Sequence, residues 1–186
     1  MLLVILGVSG VGKSYFVNEI TKRYDFKKVN TIRTRKIRPN EINKDVGIFM
    51  SLDEFYKLKE SGDIIYDSLI FDNIYAYKKE ELLSSDNYVS ELYYTMLDDW
   101  KKFRPDLVSI CLVPNEFSKA VLEIKKRGLT KEQEEERIKD AKIQYDMVLN
   151  DKDFRNKIDY IIYNNYDEES KERILNLVGK IIDEDI

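Results

Sequence analysis

Continuous apolar runs alternate with amphipathic segments along this chain. The runs at 2–6, 107–113 and 160–163 contain almost no polar residue, which is typical of parallel strands buried on both faces. Helical periodicity separates these runs, and it is first seen at 14–24. The same patterns predict further strands at 28–29, 63–67, 71–77 and 88–92, and helices at 52–62, 78–83, 94–102, 115–127, 131–150 and 168–182. This alternation predicts an α/β domain in which helices flank a parallel sheet.

The ends of one helix are marked by residue type as well as by periodicity. Ser51 and Glu54 stand three apart, which is the capping-box pattern, so this helix is predicted to begin at Leu52. Gly62 is suited to the position just after a helix and predicts its end.

Length and composition narrow the class of protein. The 186 residues suit one domain, and a net charge of −4 provides no basic field for nucleic acid. No histidine is present, which excludes an imidazole base or a histidine-bound metal. Cys111 is the single cysteine, so no internal disulfide forms, and the apolar run at 2–6 is too short to span a bilayer. We expect a cytoplasmic monomer or homodimer without a nucleic-acid or membrane partner.

The strongest chemical signal follows the first apolar run. The chain has seven glycines, and three of them fall within 7–14, so this segment needs a backbone geometry that glycine permits. It reads GVSGVGKS and matches the phosphate-binding pattern G-x-x-x-x-G-K-[ST]. Backbone amides would cradle a phosphate, Lys13 would reach the β- and γ-phosphates, and Ser14 would ligate Mg²⁺. The candidate ATP-binding residues of this loop are Gly7, Ser9, Gly10, Val11, Gly12, Lys13 and Ser14. The alternative is a glycine-rich turn without a ligand.

The segment after this loop resembles the guanylate kinase family. Residues 33–55 read RTRKIRPNEINKDVGIFMSLDEF, in which 34–41 matches the family's T-R-x-x-R-x-x-E. Further matches are Phe49, Asp53-Glu54-Phe55, Asn73-Ile74-Tyr75, Lys126-Arg127-Gly128, Glu136-Arg137-Ile138, Ala141 and the segment DYIIYN at 159–164. The likeness covers nearly the whole chain in the family's order.

The resemblance implies a P-loop parallel sheet with a small α+β acceptor region and a helical lid. It divides the chain into a core (1–32, 84–126 and 141–186), an acceptor-binding region (33–83) and a lid (127–140). It implies a kinase that uses ATP and Mg²⁺ to phosphorylate a small nucleotide. The implied catalytic residues are Lys13, Arg35, Arg38, Arg127 and Arg137, the acceptor-binding residues are Thr34, Arg35, Arg38, Glu41, Tyr66, Tyr75 and Glu91, and Asn164 borders the adenine.

Several of these residues also have plain structural interpretations. The basic run at 33–38 is typical of a solvated face, and Arg127 suits the last turn of any helix. Arg137 has glutamates near it for ion pairs. Tyr75 is equally consistent with core packing, and Asn164 with a turn. Glu91 is equally consistent with an exposed carboxylate.

The match fails at the guanine pocket. Gly47 stands where the family has a tyrosine, and Tyr66 stands where a glutamate accepts hydrogen bonds from guanine. Ala76, Tyr77 and Tyr93 also depart from the pattern. One phenol does not reproduce the paired acceptors of a carboxylate, so the acceptor choice should change or relax. The open alternatives are another nucleoside monophosphate, ribose 1,5-bisphosphate, a non-catalytic binding module and a hydrolase without an acceptor.

Overall fold

Two sheets organise this protein, for which the computed structural model describes residues 1–38, 41–42 and 46–184. The described residues form the strands β1 (Leu2–Gly7), β2 (Lys27–Lys28), β3 (Ile32–Arg33), β4 (Ile48–Phe49), β5 (Ile64–Ile70), β6 (Asn73–Lys78), β7 (Tyr88–Glu91), β8 (Val108–Pro114) and β9 (Tyr160–Asn164). They form the helices α1 (Lys13–Arg23), α2 (Leu52–Glu60), α3 (Lys79–Leu82), α4 (Leu97–Phe103), α5 (Phe117–Lys125), α6 (Lys131–Asn150), α7 (Lys152–Asn156) and α8 (Glu168–Glu184). Among the described helices, none combines the length and the apolarity that crossing a bilayer requires.

The larger sheet is parallel and has the order β2-β7-β1-β8-β9. β1 lies at its centre and is buried at every residue, because helices cover both faces. Its side chains alternate between two cores: Leu3 and Ile5 face one that includes α1 and α8, whereas Leu2 and Val4 face one that includes α4. Each fully buried aliphatic side chain stabilises the fold by about 1.5–3 kcal/mol. The predicted α/β class with helix-flanked parallel strands is confirmed.

The smaller sheet has the order β4-β3-β6-β5. β5 and β6 form an antiparallel hairpin, and β3 pairs with β6 on one side and with β4 on the other. Ile32, Phe55 and Ala76 form a separate small core between this sheet and α2. The predicted capping box is present, since Ser51 Oγ accepts a hydrogen bond from the Glu54 amide and the Glu54 carboxylate accepts one from the Ser51 amide.

Some sequence predictions need correction. Phe71 and Asp72 were predicted to begin a strand, but both have left-handed backbones (φ 49° and 55°) and form the turn between β5 and β6. The helix predicted at 94–102 divides into a 3₁₀ turn at Tyr94–Met96 followed by α4. β3, β4 and α7 were not predicted. Pro39 and Asn40 of the basic motif lie outside the described residues.

Candidate phosphoryl-transfer site

The glycine-rich loop lies at the carboxyl end of β1, the usual ligand-binding edge of a parallel sheet. Gly7, Gly10 and Gly12 have φ values of 132°, 87° and 98°, which other residues rarely adopt. A side chain at Gly7 or Gly10 would also collide with the backbone carbonyl of Leu112 or Ala120. The helix that follows begins at Lys13 without a side-chain cap. Its free amides and dipole therefore face the loop, as an anion site requires.

The ammonium group of Lys13 folds back on the loop that precedes it. Nζ donates to the carbonyl oxygens of Gly7 at 2.6 Å and Val8 at 3.2 Å. Burial lowers the pKa of Lys13 from 10.5 to about 8, with the Glu91 carboxylate opposing and the Arg127 guanidinium adding to that effect. A weakly compensated cation at this place favours binding of an anion.

Asn164 supports the loop from behind. Its side chain is buried, and Nδ2 donates to the Val11 carbonyl at 2.9 Å. Its Oδ1 accepts hydrogen bonds from the Tyr166 amide at 2.9 Å and from Ser170 Oγ at 3.0 Å. Both ends of the amide are therefore occupied within the protein. The structure places Asn164 under the phosphate loop, and the adenine-bordering position that the resemblance implies stays a prediction.

Across the cleft, Glu41 organises two arginines. The Arg35 guanidinium forms a two-point ion pair with the Glu41 carboxylate, at 2.5 and 2.7 Å. The Arg38 amide donates to the same carboxylate at 2.9 Å, and Arg38 Nη1 lies 3.7 Å from it. Burial works to raise the pKa of Glu41, but these hydrogen bonds outweigh it and lower the pKa. For Arg38, burial and then the nearby Arg35 charge lower the pKa to about 10.

Arg127 and Arg137 complete a cluster of guanidinium groups around one cleft. Arg127 Nη1 lies 3.1 Å from Ser9 Oγ in the phosphate loop. Burial and then the Arg137 charge lower the pKa of Arg127, so these cations repel one another in a poorly solvated space. The cleft has a volume of about 390 Å³. Its chemically active lining residues are Ser9, Lys13, Ser14, Arg33, Arg35, Arg38, Glu41, Tyr75, Glu91, Arg127, Arg137 and Asp140.

The other implied acceptor residues divide into two groups. Tyr75 lines the cleft, and Glu91 lines it at the carboxyl end of β7. Thr34 instead joins strands, since its Oγ1 accepts a hydrogen bond from the Ile74 amide at 2.9 Å. The structure thus gives Thr34 a supporting position.

Tyr66 does not line the cleft, contrary to the position that the resemblance implies. Its hydroxyl donates to Asp99 Oδ2 at 3.1 Å, and its ring packs against Tyr77 and Phe103. The pairing of β5 with β6 shifts register between Ile64 and Tyr66. Such an irregularity re-aims a side chain, and residue spacing alone does not reveal it.

Gly47 leaves room for a fifth guanidinium. Its φ is 110°, and a Cβ there would collide with Arg33 Nη1 and lie 2.5 Å from the Thr31 carbonyl oxygen. Arg33 Nη1 donates to the Val46 carbonyl and, at 3.3 Å, to that of Thr31. Where the family has a tyrosine, this chain therefore admits the Arg33 side chain to the cleft wall.

Sequence reasoning missed three residues, Phe71, Asp140 and Gln144, in the group of contacts around Tyr93 and Arg137. Tyr93 donates to Asp140 Oδ1 at 2.5 Å, and Gln144 donates to Asp140 Oδ2 at 2.6 Å. Phe71 lies under Arg137, with the guanidinium carbon 3.6 Å from its ring centre. The spacing of Arg137, Asp140 and Gln144 by three and four residues was a usable signal, because it puts them on one face of α6.

Comparison with known proteins gives a consistent set of relatives, although no family model matches the chain. The guanylate kinase of Wolbachia sp. subsp. Brugia malayi (strain TRS) is 26% identical over 97% of this chain and 92% of its own length. That of Hydrogenovibrio crunogenus is 28% identical over 89% of this chain and 80% of its own. The crystal structure of guanylate kinase from Anaplasma phagocytophilum superposes with a TM-score of 0.71 at 22% identity, over 97% of this chain and 85% of that one. The last similarity establishes the shared fold.

Proposed function

This chain belongs to the guanylate kinase family and is a phosphotransferase, and we propose that it transfers the γ-phosphoryl group of ATP to a nucleoside monophosphate. One observation carries the proposal: four guanidinium groups, those of Arg35, Arg38, Arg127 and Arg137, share a cleft with Lys13 of the phosphate loop. The carboxylates of Glu41, Glu91 and Asp140 balance only part of this positive charge, and two phosphate-bearing substrates would balance the rest.

Each part of the cleft has its own task in this proposal. The loop amides and Lys13 hold the donor phosphates, and Arg35 and Arg38 hold the acceptor phosphate with Tyr75. Arg127 and Arg137 neutralise charge on the group in transfer. We assign the acceptor role to 33–83, the lid to 127–140 and the core to the remaining segments.

The residues present suit a magnesium ion bound with the donor phosphates. The described residues contain no group of three or more acidic or cysteine side chains that would cage a metal, and Mg²⁺ at phosphate sites needs no such cage. Ser14 and Glu91 line the cleft beside Lys13, and Ser14 would be the protein ligand. When bound, the ion would balance charge on the β- and γ-phosphates.

No general base is needed for this transfer. The attacking atom is an oxygen of an acceptor phosphate, which is already anionic at neutral pH. The chain therefore has to supply alignment, charge balance and exclusion of water. This requirement is consistent with a sequence that contains no histidine.

The identity of the acceptor base is open within this proposal, and one observation favours a departure from guanine. Tyr66 takes the position of the family's guanine-binding glutamate, and its hydroxyl bonds to Asp99 away from the cleft. A base-reading site without paired acceptors for guanine N1–H and N2–H₂ loses much of its discrimination.

The deciding experiment is an ATP-to-ADP assay with GMP, dGMP, AMP, UMP, CMP, TMP and ribose 1,5-bisphosphate in parallel. Acceptor-dependent ADP formation that Lys13→Ala abolishes, with an unchanged far-ultraviolet circular dichroism spectrum, would support the proposal. ADP formation that no acceptor stimulates would indicate a hydrolase. Tight acceptor binding without any turnover would indicate a binding module, and efficient turnover of GMP would contradict the inferred departure from guanine.

A further inference from the structure

The ring of Phe71 lies directly beneath the Arg137 guanidinium, with 3.6 Å between the guanidinium carbon and the ring centre. Phe71 belongs to the β5–β6 turn of the acceptor region, and Arg137 belongs to the part of α6 that we assign to the lid. The contact therefore joins the two parts of the protein between which the acceptor would lie. In the described part of the chain, no carboxylate lies within ion-pair distance of this guanidinium, even though α6 is rich in glutamate.

An aromatic partner holds an arginine differently from an acidic one. A ring engages the face of the guanidinium plane, so the five N–H donors around its edge remain available. Glu41, by contrast, occupies the edge of Arg35 with two hydrogen bonds. A phosphate could bind Arg137 without displacing Phe71, because the two would use different sides of the same group.

The backbone at Phe71 supports a functional reason for the ring. Its φ of 49° is followed by a φ of 55° at Asp72, which makes a turn of the kind that favours asparagine, aspartate and glycine. A bulky aromatic residue in this conformation is strained, and such strain is concentrated at functional sites. The turn itself does not favour phenylalanine, so the ring's contacts have to account for it.

A second contact fixes the ring from its edge. Phe71 packs edge-to-face against Tyr93, with ring centres 6.2 Å apart and planes at 70°. Tyr93 in turn donates to Asp140, which lies three residues after Arg137 on α6. Phe71 thus reaches α6 twice, at Arg137 through its own ring and at Asp140 through Tyr93.

We propose that Phe71 is a positioning residue for phosphoryl transfer, which fixes the Arg137 guanidinium by its face and leaves every N–H donor free for the transferred group. This inference rests on the proposed kinase function. It predicts that the ring acts through Arg137 on the rate of transfer and leaves ATP binding unaffected.

The test compares kcat and the KM for ATP in four variants, using the best acceptor of the panel described above. Phe71→Leu removes the ring, Phe71→Asn also suits the left-handed turn, Phe71→Tyr keeps the ring, and Asp72→Asn is the matched control at the neighbouring exposed position. Misplacement of a catalytic group typically costs about tenfold to a hundredfold in rate. We expect that loss of kcat in Phe71→Leu and Phe71→Asn. Phe71→Tyr and Asp72→Asn should keep a kcat near that of the wild type, and the KM for ATP should be unchanged in all four variants.

A double-variant comparison separates positioning from general damage. In an Arg137→Ala background, Phe71→Leu should cause no further loss of kcat, because the group that it positions is already absent. Losses that multiply, or Leu and Asn variants that turn over at the wild-type rate, would overturn the inference while the kinase function stands. A wild-type protein without acceptor-dependent turnover would instead overturn the proposed function, and the positioning role with it.

Discussion

Arg35 and Glu41 form a two-point ion pair at 2.5 and 2.7 Å, in which both side chains are largely shielded from solvent. The same carboxylate accepts the Arg38 amide, so a single acidic residue organises both arginines of the proposed acceptor site. In the absence of a phosphate, Glu41 supplies the negative charge that this corner of the cleft needs. In the proposed function, Glu41 would thus stand in for part of the acceptor's charge while the cleft is empty.

Replacement of Glu41 by glutamine should destabilise the free protein and strengthen its response to phosphate. Unpaired, poorly solvated guanidinium groups should lower the free energy of unfolding by about 1–3 kcal/mol. Added inorganic phosphate should then raise the melting temperature more in Glu41→Gln than in the wild type, because phosphate replaces the lost charge. Thermal denaturation with and without phosphate measures both effects.

Glu172→Gln is the matched control for that experiment. Its ion pair with Arg23 has the same two-point geometry but is exposed, with 36% of the arginine side chain and 52% of the glutamate side chain accessible. Exposed pairs contribute little to stability, so this variant should melt like the wild type. Equal destabilisation by the two variants would show that Glu41 has no special place in the fold.

Lys13 should make ATP binding sensitive to pH near its lowered pKa of about 8. A triphosphate favours the charged ammonium, so binding above this pH has to take up a proton, and affinity should fall towards tenfold per pH unit. The free energy of unfolding of the ligand-free protein should instead rise with pH between about 8, the pKa of Lys13 in the folded protein, and 10.5, its ordinary pKa. Over that interval the unfolded chain holds the proton that the folded chain has released, so the Lys13 contribution to stability rises with pH.

Calorimetry in buffers of different ionisation enthalpy measures this proton uptake directly. At pH 8.5, Lys13 of the wild type should take up a fraction of a proton when ATP binds. At pH 7, where Lys13 is already charged, it should take up almost none. Lys13→Arg stays charged at both pH values and serves as the control. If the two proteins showed the same pH dependence, the titrating group would have to be another one.

The sequence predicted well those strands that are buried and therefore appear as long continuous runs of apolar residues. β1, β8 and β9 were predicted to within one or two residues, because each is an apolar run of at least four residues with helices on either side. β3 and β4 have two residues each, which is too short for any period to be seen. Their pairing is determined by the neighbouring hairpin, and local sequence does not encode it.

In the candidate site, too, features with a local sequence signal were predictable, and features that depend on tertiary contacts were not. The phosphate loop was predicted correctly as a backbone geometry, since its glycines at 7, 10 and 12 all require positive φ. The directions of Tyr66 and Asn164 were not predictable, because they depend on a register shift and on tertiary hydrogen bonds. Phe71 was assigned to a strand, whereas it lies in a left-handed turn and contacts Arg137.

The phosphate loop should not accept alanine at Gly10. Gly10 and Gly62 have similar φ values of 87° and 80°, so alanine introduces comparable backbone strain at both positions. At Gly10 the new methyl group would also collide with the Ala120 carbonyl, whereas nothing lies within 4 Å of the corresponding position at Gly62. Gly10→Ala should therefore be less stable than Gly62→Ala by about 1–3 kcal/mol, the usual effect of overpacking.

Ligand response distinguishes a loop defect from a general one. Gly62→Ala should keep the full rise in melting temperature that Mg·ATP produces in the wild type, and Gly10→Ala should lose most of it. Chemical denaturation gives the stability difference, and thermal shifts at saturating nucleotide give the response. A Gly10→Ala protein with a wild-type shift would mean that the phosphates bind elsewhere.

Asn164 offers the clearest distinction between supporting the loop and recognising the base. Asn164→Ala leaves the buried Val11 carbonyl without its donor and removes the acceptor for Tyr166 and Ser170. This should lower the free energy of unfolding by about 1–3 kcal/mol and weaken triphosphate binding through a distorted loop. Because both ends of the amide are bonded within the protein, we expect ATP and GTP to lose affinity by the same factor in calorimetric titrations. Asn115→Ala, which removes an exposed amide bond to Asn165 on the same side of the sheet, should leave both affinities unchanged. A selective loss of ATP affinity in Asn164→Ala would instead show that this residue borders the adenine, as the resemblance implies.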